Sequence, residues 1–183
     1  HDFGVQVMGH CRGAHSIKVA AECGFDQISH ATLMDDAALE AVVKHNVFLV
    51  PALTFQANLM EFGDAINAST ALQDIFRKEI EDSSAMLAKA FRAGVPVLCG
   101  SESGFSVTPY GDWHYRELEV FCKYLGLTPL EAIRCATKDG ALALRMKDQV
   151  GSIEAGRLAD LLLIDGDPSR DVTVLGRRDK LRM

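Results

Sequence analysis

The sequence of 183 residues contains no long hydrophobic run and no excess of basic residues. No segment reaches the roughly 18 consecutive apolar residues of a membrane-spanning helix, and the first residues, HDFGVQVMGH, lack the features of a secretory signal. Lysine and arginine number 19 against 25 aspartate and glutamate residues, and basic residues cluster only within 177–182. With a formal net charge of -6, we expect neither a membrane nor a nucleic acid as partner.

Cysteine is scarce and irregularly spaced. The five cysteines are an odd number and form no CxxC pair, whereas disulfide frameworks and zinc ribbons use regular pairs. Reduced thiols are typical of the cytoplasm, where we expect this protein to reside. The five are Cys11, Cys23, Cys99, Cys122 and Cys135.

Apolar residues alternate along the chain between short continuous runs and helical spacing. This alternation predicts strands that are each followed by a helix. Four such units imply right-handed crossovers and a parallel sheet, so we predict the α/β class. The first strand is expected to be buried through Val5, Val7 and Met8. Predicted strands cover 5–10, 26–30, 47–53 and 96–99, and predicted helices cover 14–23, 35–46, 71–93, 113–125 and 129–144.

The pattern changes after Gly151. The segment SIEAGRLADLLLID is typical of two short strands joined by a turn that contains glycine. We therefore divide the chain into an α/β domain over 1–148 and a separate β element over 149–183.

Three chemically capable side chains end or follow predicted strands. His10 ends the first strand, His30 ends the second, and Glu102 lies at the centre of the GSESG loop after the fourth. In parallel α/β folds the carboxyl ends of the strands surround one crevice. Two imidazoles and a carboxylate in that crevice are suitable ligands for a divalent metal, and the carboxylate is a suitable base for its bound water.

Other interpretations of these residues remain open. A histidine at a strand end is, taken alone, more often a hydrogen-bonded structural residue than a ligand. Backbone amides of a strand-to-helix turn can bind phosphate, as in a phosphate-binding α/β isomerase, but the pattern GxxxxGK[ST] is absent and Glu102 would repel an anion. The loop is no nucleophile elbow, because Glu102 stands where GxSxG has serine.

Longer segments around these positions carry a family resemblance. They are HCRGAHSIKVAAECGFDQISHATLMDD, VFLVPAL, KAFRAGVPVLCGSESG, LTPLEAIRCATKDGALAL and GSIEAGRLADLLLIDGDP, in this order. The chain resembles the metal-dependent amidohydrolase superfamily, in its imidazolonepropionase-like and Xaa-Pro dipeptidase-like branch. The resemblance implies the second half of a TIM (β/α)8 barrel, strands five to eight with their helices, followed by a piece of the small β-sandwich domain.

The resemblance also implies roles for individual residues. His10 and His30 correspond to metal ligands that close strands five and six, with zinc as the expected ion. Glu102 occupies the position of a family aspartate that binds metal and transfers the proton. Arg12 stands where this branch usually has a second histidine, and we expect it to contact substrate. From their positions near the presumed mouth of the site, we add three further substrate contacts, His15, Tyr110 and His114.

Together these implications predict hydrolysis of a C–N bond in a small amide, lactam or dipeptide by metal-activated water. The family's ligands on strands one and four are expected to lie outside this chain, so we expect little activity from the chain alone. The alternative is a non-catalytic half-barrel or assembly module. In that case a second copy, or a missing N-terminal half, would close the barrel.

Overall fold

A parallel sheet of three strands, in the order β1-β2-β3, forms the centre of the fold. In the register of the sheet, His10 pairs with Ser29, and Ser29 pairs with Val50. His10, Ser29 and Val50 therefore lie side by side across the three strands. In the computed structural model, which describes residues 3–182, the strands are β1 (Met8–Gly13), β2 (Gln27–Leu33) and β3 (Phe48–Val50).

Helices follow the strands and pack on the sheet, with α1 against β1 and α4 against β2. They are α1 (Ala14–Glu22), α2 (Asp36–His45), α3 (Thr54–Phe62), α4 (Thr70–Arg92), α5 (Arg116–Leu125), α6 (Pro129–Ala136) and α7 (Lys138–Ala143). Short 3-10 turns cover Gly63–Ile66, Val172–Gly176 and Arg178–Lys180. Among residues 3–182, no helix has both the length and the apolar character needed to cross a membrane. The prediction of an α/β fold is confirmed.

Capping residues mark both ends of α2 and the start of α6, which the sequence predicted. The Asp35 carboxylate accepts a hydrogen bond from the Ala38 amide at 2.8 Å at the start of α2, and Asn46 closes that helix in the left-handed conformation. Thr128 and Glu131 form a reciprocal capping box at the start of α6. Each cap supplies partners to backbone groups that the helix itself leaves unpaired.

The main apolar core lies between the sheet and the helices. Complete burial of one such aliphatic or aromatic side chain stabilises the fold by about 1.5–3 kcal/mol. The strand ends that carry the candidate site therefore rest on a tightly packed base. Fully buried members of this core include Ile17, Ile28, Leu49, Ile80, Leu87, Val97 and Phe121.

The first strand begins later than the sequence predicts. Val5 precedes β1 and is 59% exposed, and Met8 is 49% exposed, so the expected burial of these residues is wrong. Within the described part of the chain β1 pairs only with β2, which leaves one edge of the sheet open. Because β1 extends to Gly13, His10 lies within the strand rather than at its end.

The predicted fourth strand, 96–99, is reduced to a single bridge beside β3. The Leu49 amide donates to the Pro96 carbonyl at 3.0 Å, and the Leu98 amide donates to the Leu49 carbonyl at 2.7 Å. The bridge between Leu49 and Val97 is parallel. Pro96 has no amide hydrogen to extend the ladder. The segment nevertheless occupies a fourth parallel position, and Glu102 follows it.

Helix prediction failed at two places. The sequence did not predict α3, because buried polar residues such as Gln56 and Asn58 interrupt its apolar pattern. The helix predicted over 129–144 is divided into α6 and α7 at Thr137, whose φ of -118° and ψ of -82° are not helical.

The two short strands predicted after Gly151 do not form in the described residues. One antiparallel bridge joins Ile164 to Leu181, and Leu162 is 66% exposed. A strand is stable only beside hydrogen-bonded neighbours, which this part of the chain does not supply.

Gly151 lies against the break between α6 and α7, and its replacement by alanine is expected to destabilise the fold. Its φ is +90°, and an added Cβ would lie 2.9 Å from the Thr137 carbonyl oxygen and 2.6 Å from the Ala141 Cβ. Strain and overpacking together should lower the free energy of unfolding by about 2–4 kcal/mol. Gly156→Ala is the matched control, because its φ is +88° but nothing lies within 4 Å of the added Cβ. Urea denaturation of both variants tests this, and equal losses would contradict the packing argument.

Candidate metal centre

The structure brings His10, His30 and Glu102 together at the carboxyl-terminal side of the sheet. One ligand atom of each residue lies within 4.8 Å of the ligand atoms of the other two. His10 Nδ1 is 3.1 Å from His30 Nε2, and His30 Nε2 is 3.6 Å from Glu102 Oε1. Among residues 3–182 this is the one group of three histidine, cysteine or carboxylate side chains with such spacing.

The backbone at His30 adopts a conformation that few residues other than glycine take. His30 has a φ of 71° and Ala31 a φ of 52°, both in the left-handed region. The pairing of β1 with β2 shifts register beside them, between Cys11 and Gly13. Such a conformation costs about 1–2 kcal/mol per residue and is concentrated at functional sites. The strain turns the His30 side chain into the space beside His10 rather than along the regular strand alternation.

Glu102 is also held in the left-handed region, with a φ of 48°. Hydrogen bonds within its loop fix this turn: the Thr108 hydroxyl donates to the Glu102 carbonyl at 3.2 Å, and the Gly104 amide donates to the Thr108 carbonyl at 2.8 Å. The hydroxyls of Ser101 and Ser103, on either side of Glu102, are 2.7 Å apart. The Glu102 carboxylate therefore extends from a loop whose conformation is fixed by internal hydrogen bonds.

Burial and neighbouring charges shift the pKa values of two members of the cluster. The pKa of His30 is lowered to about 4, first by burial and then by the positive charges of Arg12 and His10, while the Pro51 carbonyl opposes the shift. Neutral imidazole is the form that binds a metal. Burial raises the pKa of Glu102, against the effect of His10 and Arg12. A raised pKa is typical of carboxyl groups that transfer protons.

The three side chains fit a divalent metal. Two ligands at about 2.0–2.1 Å from one tetrahedral zinc ion lie about 3.3 Å apart, close to the observed 3.1 Å and 3.6 Å. Nε2 of His30 faces both of the other ligands, His10 Nδ1 and Glu102 Oε1. Imidazole nitrogen and carboxylate oxygen are donors that zinc accepts, and catalytic zinc sites commonly use three protein ligands.

Arg12 lies beside the cluster, and its partner was not foreseen. Its guanidinium forms an ion pair with Glu79 of α4. The Arg12 charge acts on the pKa values of both His30 and Glu102. An ion pair with helix α4 thus holds a cation next to the candidate ligands.

The other predicted substrate contacts divide into two groups. His114 and Tyr110 lie next to the Glu102 loop: His114 Nδ1 is 3.1 Å from the Ser101 hydroxyl, and the Tyr110 hydroxyl covers Gly104, 2.9 Å from where a Cβ would be. His15 is exposed in the first turn of α1. Among the described residues, His15 has no hydrogen bond or ion pair to His10, His30 or Glu102.

Glu117 of α5 was missed by the sequence analysis. Its side chain is completely buried, yet it is a carboxyl group. It accepts hydrogen bonds from the backbone amides of Leu53 and Thr54 at 2.9 Å and 2.7 Å. The helical periodicity of the sequence could have indicated its burial, because Glu117 lies four residues before the buried Phe121 and therefore on the same face of α5.

Comparison with known proteins identifies the family. The sequence profile of the amidohydrolase family matches residues 1–183, so the chain belongs to that family. Its members generally depend on a metal, which agrees with the histidine and glutamate cluster. The resemblance derived from the sequence motifs is thereby confirmed.

Curated relatives and solved structures agree with this assignment. The chain is 23% identical over 151 residues to the imidazolonepropionase of Streptococcus gordonii, covering 81% of this chain and 30% of that protein. It is 27% identical over 152 residues to the imidazolonepropionase of Fusobacterium nucleatum, covering 81% of this chain and 31% of that protein. The structure of a Xaa-Pro dipeptidase with bound methionine in its active site superposes with a TM-score of 0.80 and 28% identity, over 98% of this chain and 43% of that chain. The chain therefore spans less than half the length of these relatives.

Proposed function

We propose that this chain carries part of the active site of a metal-dependent amidohydrolase that cleaves a C–N bond in an amide, lactam or dipeptide. The observation that carries the proposal is the convergence of His10, His30 and Glu102 ligand atoms within 4.8 Å. Backbone strain at His30 and Glu102 supports it, since such strain is concentrated where function requires it. The similarity to a dipeptidase and to imidazolonepropionases supports the class of bond.

Each side chain of the cluster has a distinct role in this proposal. His10 and His30 hold a divalent ion, with zinc as the first choice, which when bound polarises the scissile carbonyl and acidifies a bound water. Glu102 completes the ligand set, takes the proton of the water and delivers it to the leaving nitrogen. Arg12 orients the substrate through its guanidinium group. Tyr110 and His114 contact the substrate from the Glu102 loop, and His15 from the start of α1.

The fold supports a more specific proposal about architecture. The strands β1, β2 and β3 and the bridged segment at 96–98 occupy four adjacent parallel positions. We infer that they correspond to strands five to eight of a TIM barrel, and that 149–183 belongs to the accompanying β-sandwich. Since this chain covers 43% of the dipeptidase chain, the remaining strands and ligands would come from further polypeptide, either an N-terminal half or a second copy. Hydrolysis by the chain alone is accordingly expected to be slight.

The metal content of the purified chain tests the proposed function. After dialysis against trace zinc, elemental analysis is expected to find close to one zinc per chain, and close to none in His10→Ala/His30→Ala. His45→Ala is the control, because His45 is an exposed histidine at the end of α2. Zinc absent from the parent chain, or retained by the double variant, would overturn the proposed centre.

An assembly module is the second candidate function, and one observation favours it. Large apolar side chains are exposed around the open edge of β1, as sheet edges that bind another chain often are. We expect sedimentation analysis at micromolar concentration to find a dimer or a larger assembly, whereas a monomer would argue against pairing of half-barrels. The exposed residues are Phe3, Val5 and Met8.

We also infer a reducing, cytoplasmic location. All five cysteines are free, and two of them, Cys11 and Cys135, are buried. Burial raises the pKa of Cys135 to about 12, so its thiol is unreactive. Unpaired thiols of this kind persist where the environment keeps them reduced.

A further inference from the structure

We propose that Glu117 is a positioning residue for the metal centre, because it fixes the turn after β3 on which the His30 and Glu102 segments both rest. The inference rests on the proposed function, because Glu117 is proposed to position the ligands of that metal centre. Glu117 is not itself near enough to serve as a ligand in the described cluster.

Glu117 binds the turn through three hydrogen bonds. Its Oε1 accepts the Leu53 amide at 2.9 Å, and its Oε2 accepts the Thr54 amide at 2.7 Å and the Thr54 hydroxyl at 2.5 Å. Both residues are buried, with no exposed surface on Glu117. Burying a carboxyl group is costly unless its oxygens are paired. Here the pairing goes entirely to Leu53, the last residue of the β3–α3 connection, and to Thr54, the first residue of α3.

This connection lies between the two segments that carry the candidate ligands. On one side, Val50 at the end of β3 pairs in the sheet with Ser29, the residue before His30. On the other, a Cβ on Gly100 would lie 2.6 Å from Val50 Cγ1 and 3.6 Å from Ala52 Cβ, so Gly100, two residues before Glu102, packs directly against the end of β3. A displacement of 50–52 would therefore move both His30 and Glu102.

The connection is also strained, which is why an anchor is needed. Ala52 has a φ of 52°, a conformation that costs about 1–2 kcal/mol for a residue with a side chain. The Glu117 carboxyl accepts hydrogen bonds from the amides of Leu53 and Thr54, the two residues that immediately follow Ala52. Without those bonds the strained residue would be expected to relax, and the spacing of 3.6 Å between His30 Nε2 and Glu102 Oε1 would change.

Glu117→Gln removes this anchoring with little change in shape. The two backbone amides face the two carboxyl oxygens separately, so an amide side chain must present its NH2 group to one of two N–H donors. Thr54→Val is a milder variant, since it removes only the hydroxyl bond. Both keep the volume of the buried side chain.

Zinc affinity of the full chain, measured by titration against a chelating indicator, tests the proposal. We expect a loss of about tenfold to a hundredfold in Glu117→Gln, as for partners that orient metal ligands, and a smaller loss in Thr54→Val. Asp139→Asn is the matched control: Asp139 is similarly buried and paired with Arg134 at 3.1 Å. It lies near Gly94 and Val95, before segment 96–98, at the opposite end of the strands from Glu102. The control should lose stability but keep its zinc affinity.

A second measurement separates failure of this inference from failure of the proposed function. In the metal-free protein, the His10 and His30 rings have centroids 5.1 Å apart, a distance that gives NMR cross-relaxation between ring protons. We expect this signal to be lost in Glu117→Gln and kept in Asp139→Asn. If the parent binds no zinc, the proposed function fails, and the ring signal still decides whether Glu117 positions the histidines. An unchanged ring signal in Glu117→Gln, or equal effects of Glu117→Gln and Asp139→Asn, would overturn the inference.

Discussion

Replacing His30 by alanine is expected to weaken zinc binding by about a hundredfold or more, and replacing His10 by about tenfold. His30 is 5% exposed and lies between the other two ligands, so its Nε2 is close to both His10 Nδ1 and Glu102 Oε1. Its ring is fixed by burial before metal arrives. His10 is exposed on the open side of β1, where water can take its place at lower cost.

Competitive titration with a chelator of known zinc affinity measures both losses. His45→Ala is again the control, and it should bind zinc as the parent does. Equal losses for the two ligands would contradict the central position of His30. Unchanged affinity in His30→Ala would mean that zinc binds elsewhere.

The free energy of unfolding is expected to fall by about 3 kcal/mol on account of Glu117 as pH rises from about 4.5 to 7. Burial raises the pKa of Glu117 from 4.5 to about 7, although its hydrogen bonds from Thr54 and Leu53 oppose the shift. In this window the folded protein keeps a proton on Glu117 that the unfolded chain has lost. The proton is therefore bound more tightly by the folded state, and stability falls as pH rises until both states are ionised.

Urea denaturation of the parent and of Glu117→Gln across this pH range isolates the effect. Other carboxyl groups titrate in both proteins, so the relevant quantity is the difference between their unfolding free energies at each pH. That difference should change by about 3 kcal/mol between pH 4.5 and 7 and then level off. A difference that is constant with pH would contradict a raised pKa for Glu117.

The α/β class and the convergence of the three candidate ligands were accessible from sequence for one physical reason. Parallel strands bring their carboxyl ends to one edge, so residues that end or follow neighbouring strands become neighbours in space. His30 and Glu102 are 72 positions apart in the sequence, but only one intervening strand, β3, separates their segments. The family motifs added the assignment of these residues as ligands.

Features that depend on tertiary contacts were not accessible in this way. The buried polar residues of α3 break the apolar periodicity, and their hydrogen bonds are visible only in the folded chain: Asn58, for example, donates to the Val107 carbonyl at 2.8 Å. From the sequence alone, Glu117 cannot be distinguished from an ordinary charged residue of a helix, because its partners Leu53 and Thr54 are known only from the structure. The apolar run Leu161–Ile164 predicted a strand, but a strand forms only where a neighbour completes its hydrogen bonds.

The most direct test of the metal centre is the X-ray absorption spectrum of the zinc-loaded chain at the zinc edge. We expect nitrogen and oxygen ligands at about 2.0–2.2 Å, with the outer-shell scattering of two imidazole rings. In His30→Ala one imidazole contribution should disappear. A shell of sulfur at about 2.3 Å, or a spectrum without imidazole scattering, would contradict a centre formed by His10, His30 and Glu102.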